Sequence, residues 1–594
     1  MKTRLTFLVL ICLSVILAFN FFSSVNLLSD DFIVTDDYPT HFAFVIFQKE
    51  GLASGESFVY LSNYYMGIWS SKFLHTLFDI SILSIALPFI GEAILFKIYI
   101  LIFNILVPFF GYLIVKNFSE HKNAAIIGGF ITLFLWHFSY FYHFPNYYGL
   151  FPFFEFCFLW VLGISYYYQY KRTEKTRTLF VSLLILFFSF AIHPYSFLLS
   201  FPTIFLLILN EIRFKAKRRI GIIFLVFFIV VLLIPFLIFL FSYFNHYTSL
   251  GLLGGKAKAI FPDTMYHQGR GIDEIMRVIK SCPLFLGITV LGIFGLIKKP
   301  KFKKPLTYLA ITFFLIGIFG NFSPFSCFQL QRFLYILGII MIVPASTFVV
   351  HYWKQWIFRF ILLIIIVNLL FSNLSLEEIS YKPTTLKSQS LFELYNFFEK
   401  VNPEQGRVIL ENSGFKTGHV YDGHASYLFP LQFNICFAGT PSPYFSSRIY
   451  WKGTLSEGAL EGIPIRNLSC SEISRWTRLF NINRIVVWHN DSLSKLRECN
   501  NTFSHEQTLD PTAEKPLFVF KKLELSNFIL EGDIKIKQEN NRLIINATTP
   551  GTIKYFWIPM LRDIEGLEQR PILIIRNQSA LFIQIILPGN YTLR

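Results

Sequence analysis

The chain has 594 residues, of which 54% are hydrophobic and 19% aromatic, and its mean hydropathy is +0.51. A water-soluble enzyme has no use for so much apolar surface, so composition excludes that class and points to a polytopic membrane protein. The net charge of +16 is gathered in short clusters between apolar runs, a pattern of membrane orientation rather than of nucleic-acid binding.

The first predicted span covers residues 5–22, behind Lys2 and Arg4. A secretory signal peptide is the competing reading. The apolar run is long for one and no small-residue cleavage site follows, so an uncleaved anchor with a cytoplasmic N-terminus is expected. Later spans are expected near 94–115, 124–141, 150–169, 178–192, 195–210, 220–244, 284–297, 306–320, 333–350 and 357–373. That makes about eleven spans. Residues 74–90 are expected to lie along the membrane surface. With that choice Lys116/Lys122, 171–177, 213–219, 298–304 and Lys354/Arg359 all fall on the cytoplasmic side, as the positive-inside rule requires. A plasma-membrane location follows.

The first outer loop, 24–93, carries the stretch TDDYPTHF at 35–42. Asp36 and Asp37 are adjacent carboxylates suited to general-base work or cation binding, and His41 stands four residues after Asp37. A solvated acidic loop behind an anchor is the plainer alternative. Pro39 is expected to break any helix here and to bias Tyr38 towards an extended conformation. Further polar residues sit at predicted outer span ends: Asp79 in the surface segment, Glu155 early in a span, His193 in the turn HPYS, and Arg332 in FSCFQLQRF. An intramembrane carboxylate is costly unless it faces a polar cavity or a partner helix. Arg332 either snorkels or grips a phosphate. The loop 245–283, rich in Gly, Lys, His and Arg, suits a flap or a passive linker.

After Asn373 the spans stop and short alternating runs take over, such as 407–410, 484–488, 518–525, 543–547 and 572–576. An extracytoplasmic mixed α/β domain over 374–522 and a small β-sandwich over 523–594 are expected, following a membrane domain over 1–373. Glycosylation sequons at Asn467, Asn490, Asn500, Asn546, Asn577 and Asn590 agree with an outer location. Among the seven cysteines, a Cys282–Cys327 bridge between outer loops is one possibility. No zinc spacing, nucleotide loop or GxSxG is present.

An acidic first outer loop, surface helices, a many-span body and an outer C-terminal domain together resemble the GT-C fold of membrane glycosyltransferases. The local match is Asp37-Tyr38-Pro39-Thr40-His41, similar to the D-x-P-x-H version of that family's first-loop motif. The chain also resembles the prokaryotic membrane family labelled 6-pyruvoyl-tetrahydropterin synthase-related. It departs from oligosaccharyltransferases in lacking WWDYG, and its second acidic motif is reduced to Glu155. The resemblance implies inverting transfer of a sugar from a polyprenyl-phosphate carrier to an acceptor at the outer face. Asp37 or Asp36 would be the base, His41 its neighbour, and Arg332, His193, Glu155 and Asp79 would bind substrate or lipid phosphate. A divalent cation, if any, would sit on Asp36 or Asp37. A lipid-linked sugar flippase and a non-catalytic surface or assembly protein are the alternatives.

Overall fold

The structure is a computed structural model. It describes residues 2–35, 37–54, 58–61, 68–71, 78–147, 149–193, 199–200, 203–207, 283–298, 303–319, 330–353, 355, 382–401, 406–411, 425, 428–433, 435–438, 455–539, 542–556, 561, 564–575 and 578–593. The spans expected at 220–244 and 357–373, most of 195–210, the loop 245–282, Asp36, Cys282 and Cys327 lie outside these residues. Two compact units make up the chain: residues 1–33, 74–236 and 263–385 in one, and 34–73, 237–262 and 386–594 in the other.

The first unit is helical. It contains α1 (Lys2–Phe21), α3 (Phe78–Ala86), α4 (Glu92–Ser119), α5 (Lys122–Phe138), α6 (Tyr140–Tyr147), α7 (Phe151–Thr173), α8 (Thr176–Ile192), α9 (Pro283–Lys298), α10 (Lys303–Phe319) and α11 (Leu334–Tyr352). Four of these, α1, α4, α7 and α11, are long and apolar enough to cross a membrane, which makes the chain an integral membrane protein. α1 exposes Leu5, Leu8, Ile16 and Phe19, the expected behaviour of a lipid-facing helix. It is also part of the bundle: Ser14 Oγ donates to the Ile105 carbonyl at 2.6 Å, and Phe7 packs edge-on to Phe109. α11 is apolar all round and buries most of its residues, as a central helix does. Backbones approach closely where glycine removes the side chain. A Cβ at Gly295 of α9 would stand 2.1 Å from the Pro344 carbonyl of α11.

Two expectations are corrected. The span drawn over 124–141 ends at Phe138, and a separate helix starts at Tyr140 after Ser139 adopts an extended backbone. Pro39 does not break a helix. It stands in the first turn of one, and Tyr38 is already helical. A proline in a first turn loses no intrahelical bond, because those N–H groups have no partner anyway. The surface segment contributes α3, whose nine residues rise only about 13 Å and are too short to cross a bilayer.

The second unit starts with α2 (Tyr38–Ser54) and the hairpin β1 (Phe58–Leu61) and β2 (Ile68–Ser71). α12 (Gln389–Phe398) is capped by Ser388 Oγ, which accepts from the Leu391 N–H at 3.2 Å. Its apolar stripe of Leu391, Leu394, Tyr395 and Phe398 is buried against a sheet. That sheet runs β4 (Phe437–Ala438), β3 (Arg407–Leu410), β5 (Ile482–Val487), β7 (Leu517–Lys522) and β6 (Phe503–Leu509) in spatial order. β3 is parallel to both neighbours and the far strands are antiparallel. All six residues of β5 are buried, which suits a central strand covered on both faces. α13 (Cys470–Leu479) opens with a Ser469/Glu472 capping box. α14 (Asn490–Glu498) follows β5.

A disulfide joins Cys470, at the start of α13, to Cys499, just past α14. Closing a loop of 29 residues is worth about 3–4 kcal/mol against the unfolded chain. The Cys470→Ser/Cys499→Ser variant is therefore expected to unfold at lower denaturant, with the change localised to 470–499 by hydrogen exchange. An unchanged midpoint would remove the bridge's structural role.

The last part of the unit is a sandwich of two antiparallel sheets. One has the order β8 (Ile529–Glu531), β11 (Gly551–Phe556), β13 (Gln578–Ile585) and β12 (Leu567–Ile575); the other has β9 (Ile534–Glu539), β10 (Arg542–Ala547) and β14 (Gly589–Leu593). Leu543, Ile545, Ile553, Tyr555, Ile583 and Ile585 alternate inward to make its core.

Candidate functional site

In the helical unit the polar residues singled out from sequence gather at one end. The opposite end is marked by basic turns. There Arg172, near the C-terminus of α7, pairs with Glu120 at 2.6 Å just beyond the C-terminus of α4. This joins the 116–122 and 171–177 connections. Tyr99, Glu155 and His193 belong to the other ends of α4, α7 and α8. Tyr99 precedes Lys116 by seventeen residues along α4, which is about 25 Å of helix.

Three of these side chains form one group. The Tyr99 hydroxyl is hydrogen-bonded to a carboxylate oxygen of Asp79 and to one of Glu155. The remaining oxygens, Asp79 Oδ1 and Glu155 Oε2, are buried and have no hydrogen-bond partner among the described residues. A phenol has one proton to donate, so it cannot satisfy two carboxylates at once. The group is complete only with a further proton or a bound donor. Burial raises the Asp79 carboxyl above its ordinary value, partly opposed by the Tyr99 hydrogen bond.

Glu155 also has neighbours along α7. The His193 ring packs against Phe153 at 5.3 Å and Phe156 at 6.3 Å between centroids. Phe153 in turn meets Phe333, the residue after Arg332, at 6.5 Å. Arg332 is half-buried in a 3-10 turn leading into α11. Asp79, Glu155, His193 and Arg332 are thus one neighbourhood around the start of α7.

Two residues that sequence reading passed over hold this end together. Tyr99 is one. Lys97 is the other: it is fully buried and donates to the carbonyls of Asn26 (2.6 Å), Ser29 (2.5 Å) and Asp31 (2.9 Å). An ammonium has three protons and here finds three carbonyls, so the segment from Asn26 to Asp31 is fixed to α4. A lysine inside an apolar run was the available signal for it.

Asp37 and His41 belong to the second unit. Asp37 immediately precedes α2, and its carbonyl accepts from the His41 N–H at 3.0 Å. Tyr38 is buried, while Asp37 and His41 are half-buried. The motif is therefore a helix start, where the dipole favours a negative group. Among the described residues no three His, Cys, Asp or Glu side chains are grouped to hold a metal ion.

No protein-family model matches this chain, and no curated protein sequence matches it. Among solved structures it is similar to the arabinofuranosyltransferase AftD from Mycobacteria, with a TM-score of 0.51 at 10% identity over 88% of this chain and 42% of that one. The fold is GT-C-like. The chain spans less than half the length of AftD. It is also similar to the archaeal oligosaccharyltransferase AglB from Archaeoglobus fulgidus, solved with an inhibitory peptide and a dolichol-phosphate, at a TM-score of 0.43 and 11% identity over 86% of this chain and 74% of that one.

Proposed function

We propose that this protein is a membrane glycosyltransferase that moves a sugar from a polyprenyl-phosphate carrier to an acceptor at the outer membrane face, with inversion. The observation that carries the reading is the cluster of Asp79, Tyr99, Glu155, His193 and Arg332 at the end of a GT-C-like helical unit opposite its basic turns. Basic turns mark the cytoplasmic side, so the cluster faces the outer leaflet, where a lipid-linked donor presents its phosphate.

Asp37 accepts the proton of the acceptor hydroxyl as that oxygen attacks the anomeric carbon. The bond to the carrier phosphate breaks on the opposite face, and Arg332 and His193 meet the charge that develops on the leaving phosphate. Asp79 and Glu155 offer their remaining oxygens to the hydroxyls of the donor sugar. Tyr99 holds the two carboxylates in place, and His41 orients the motif from the first turn of α2.

The test is a transfer assay with the full chain reconstituted in liposomes and a panel of radiolabelled polyprenyl-phosphate sugars. Label should leave the lipid fraction with wild type, and Arg332→Gln should slow it by about tenfold or more, the scale of one lost charge-assisted contact. No release from any donor, or equal release by both proteins, would count against the reading.

A further inference from the structure

α3 carries polar residues inward and apolar residues outward. Ile80, Ser81 and Ser84 are buried, while Ile82, Ile85 and Ala86 are exposed. Phe89, just past the helix, is 79% exposed and completes the i, i+3, i+4, i+7 spacing of one apolar stripe. A helix on a water-soluble surface shows the reverse arrangement. Ser84 Oγ donates to the Ile80 carbonyl at 3.0 Å, so its burial needs no partner outside the helix. α3 packs against α4 and α8, and small buried residues such as these serines let helices approach closely in lipid.

The depth of α3 follows from its first turn. Asp79 is hydrogen-bonded to Tyr99, which lies about 25 Å along α4 from Lys116 at the basic end. A hydrocarbon core is about 30 Å thick, so the first turn of α3 stands inside it, near the boundary remote from the basic turns. Nine residues of helix and the link 87–91 then return the chain to the start of α4 at Glu92. A helix lying on the membrane surface keeps its polar side in water. α3 gives that side to the protein. Its packing partners also expose apolar side chains, Ile102 and Leu106 on the membrane-spanning α4 and Phe188 on α8. The stripe of α3 therefore lies beside helices whose exposed faces meet lipid.

We propose that α3 is embedded in the leaflet remote from the basic turns, and that Ile82, Ile85 and Phe89 rest against lipid acyl chains. α3 is then a re-entrant element, tolerated there because its backbone is helical and its polar face is covered by protein. It forms the wall between the acyl chains and the Asp79, Tyr99 and Glu155 group, one helix diameter or about 10 Å thick. The placement rests on the membrane character of the chain and is independent of the transfer reaction proposed above.

The measurement uses the full chain in liposomes. Phosphatidylcholine with a diazirine in its acyl chain is photolysed beside wild type, and the adducts are mapped by peptide mass spectrometry. Adducts should fall on Ile82, Ile85 and Phe89, as on Ile102 of α4. For a second reading, a bimane fluorophore is attached to Ile82→Cys, Ile85→Cys and Phe89→Cys, and the signal of the unsubstituted chain is subtracted because Cys12 is also exposed. A doxyl group on the acyl chain should quench each label several-fold more strongly than iodide in the water does. Lys175→Cys, in the basic turn before α8, should show the opposite preference. Stronger quenching by iodide at the three α3 positions, or acyl-chain adducts on α4 without any on α3, would place this face in water and overturn the proposal. Protection from both probes would mean that protein covers the face, and overturns it as well.

Discussion

Asp37→Asn is expected to lose about 10²–10⁴ of the wild-type transfer rate at matched membrane levels, the usual contribution of a general base. The amide keeps the volume of the carboxylate and can still sit at a helix start, since asparagine is among the residues preferred there. Folding of α2, whose first turn is closed by the bond from the His41 N–H to the Asp37 carbonyl, should survive because that bond uses backbone atoms only. What disappears is the proton acceptor. Asp37→Asn should lower kcat with little change in donor KM, because the base acts on the acceptor oxygen in the transition state. Full activity in this variant eliminates Asp37 as base. Full activity in Asp36→Asn and in the double variant as well would remove the motif from the mechanism.

The largest effect on stability is expected at Glu411, which follows β3 and is fully buried. Its carboxylate accepts four hydrogen bonds: from the Gly458 N–H at 2.8 Å, the Ser492 hydroxyl at 2.6 Å, and the Trp488 and His489 N–H groups at 3.0 Å each. Two of those donors are backbone N–H groups just before α14, which is capped by His489 Nδ1, so the carboxylate joins the start of that helix to β3 and to the turn at Gly458. Gly458 is held close for the same purpose. Its φ is +76°, and a Cβ there would stand 2.5 Å from His489 Nδ1. Glu411→Ala leaves several buried donors without an acceptor and should cost about 3–5 kcal/mol. Glu411→Gln is nearly isosteric but turns an NH2 towards N–H donors, and should cost about 2–3 kcal/mol. Urea titration of the full chain, with Cys436 modification read by peptide mass spectrometry, measures both. A wild-type midpoint for Glu411→Ala would show that water replaces the carboxylate without penalty.

The membrane character of this chain was legible because a bilayer imposes a length: runs such as those of α1, α4, α7 and α11 have few alternatives in any fold. The runs behind β3, β5, β7, β10 and β12 were legible as short stretches rich in β-branched and aromatic residues; β5, buried throughout, shows no two-residue alternation. Helix starts were harder. Pro39 has two opposite uses, breaking a helix from within and opening one from its first turn, and local sequence does not distinguish them. Asp79 and Glu155 could be marked individually, because each is a carboxylate inside an apolar stretch. Their partner could not: a tyrosine in a chain that is 19% aromatic gives no signal, and Tyr99 lies 20 residues from one acid and 56 from the other.

The seven cysteines show the same division. Any pairing satisfied the count, and only the fold around β5 brought Cys470 and Cys499 together. The sequence by itself marked apolar segments long enough to cross a membrane, four of which are such helices among the described residues, and the short runs that form strands, because those depend on periodicity and length along the chain. The tertiary structure alone decided which polar groups share a low-dielectric space, because that depends on approach between residues tens to hundreds of positions apart, where burial sets the energy of each charge.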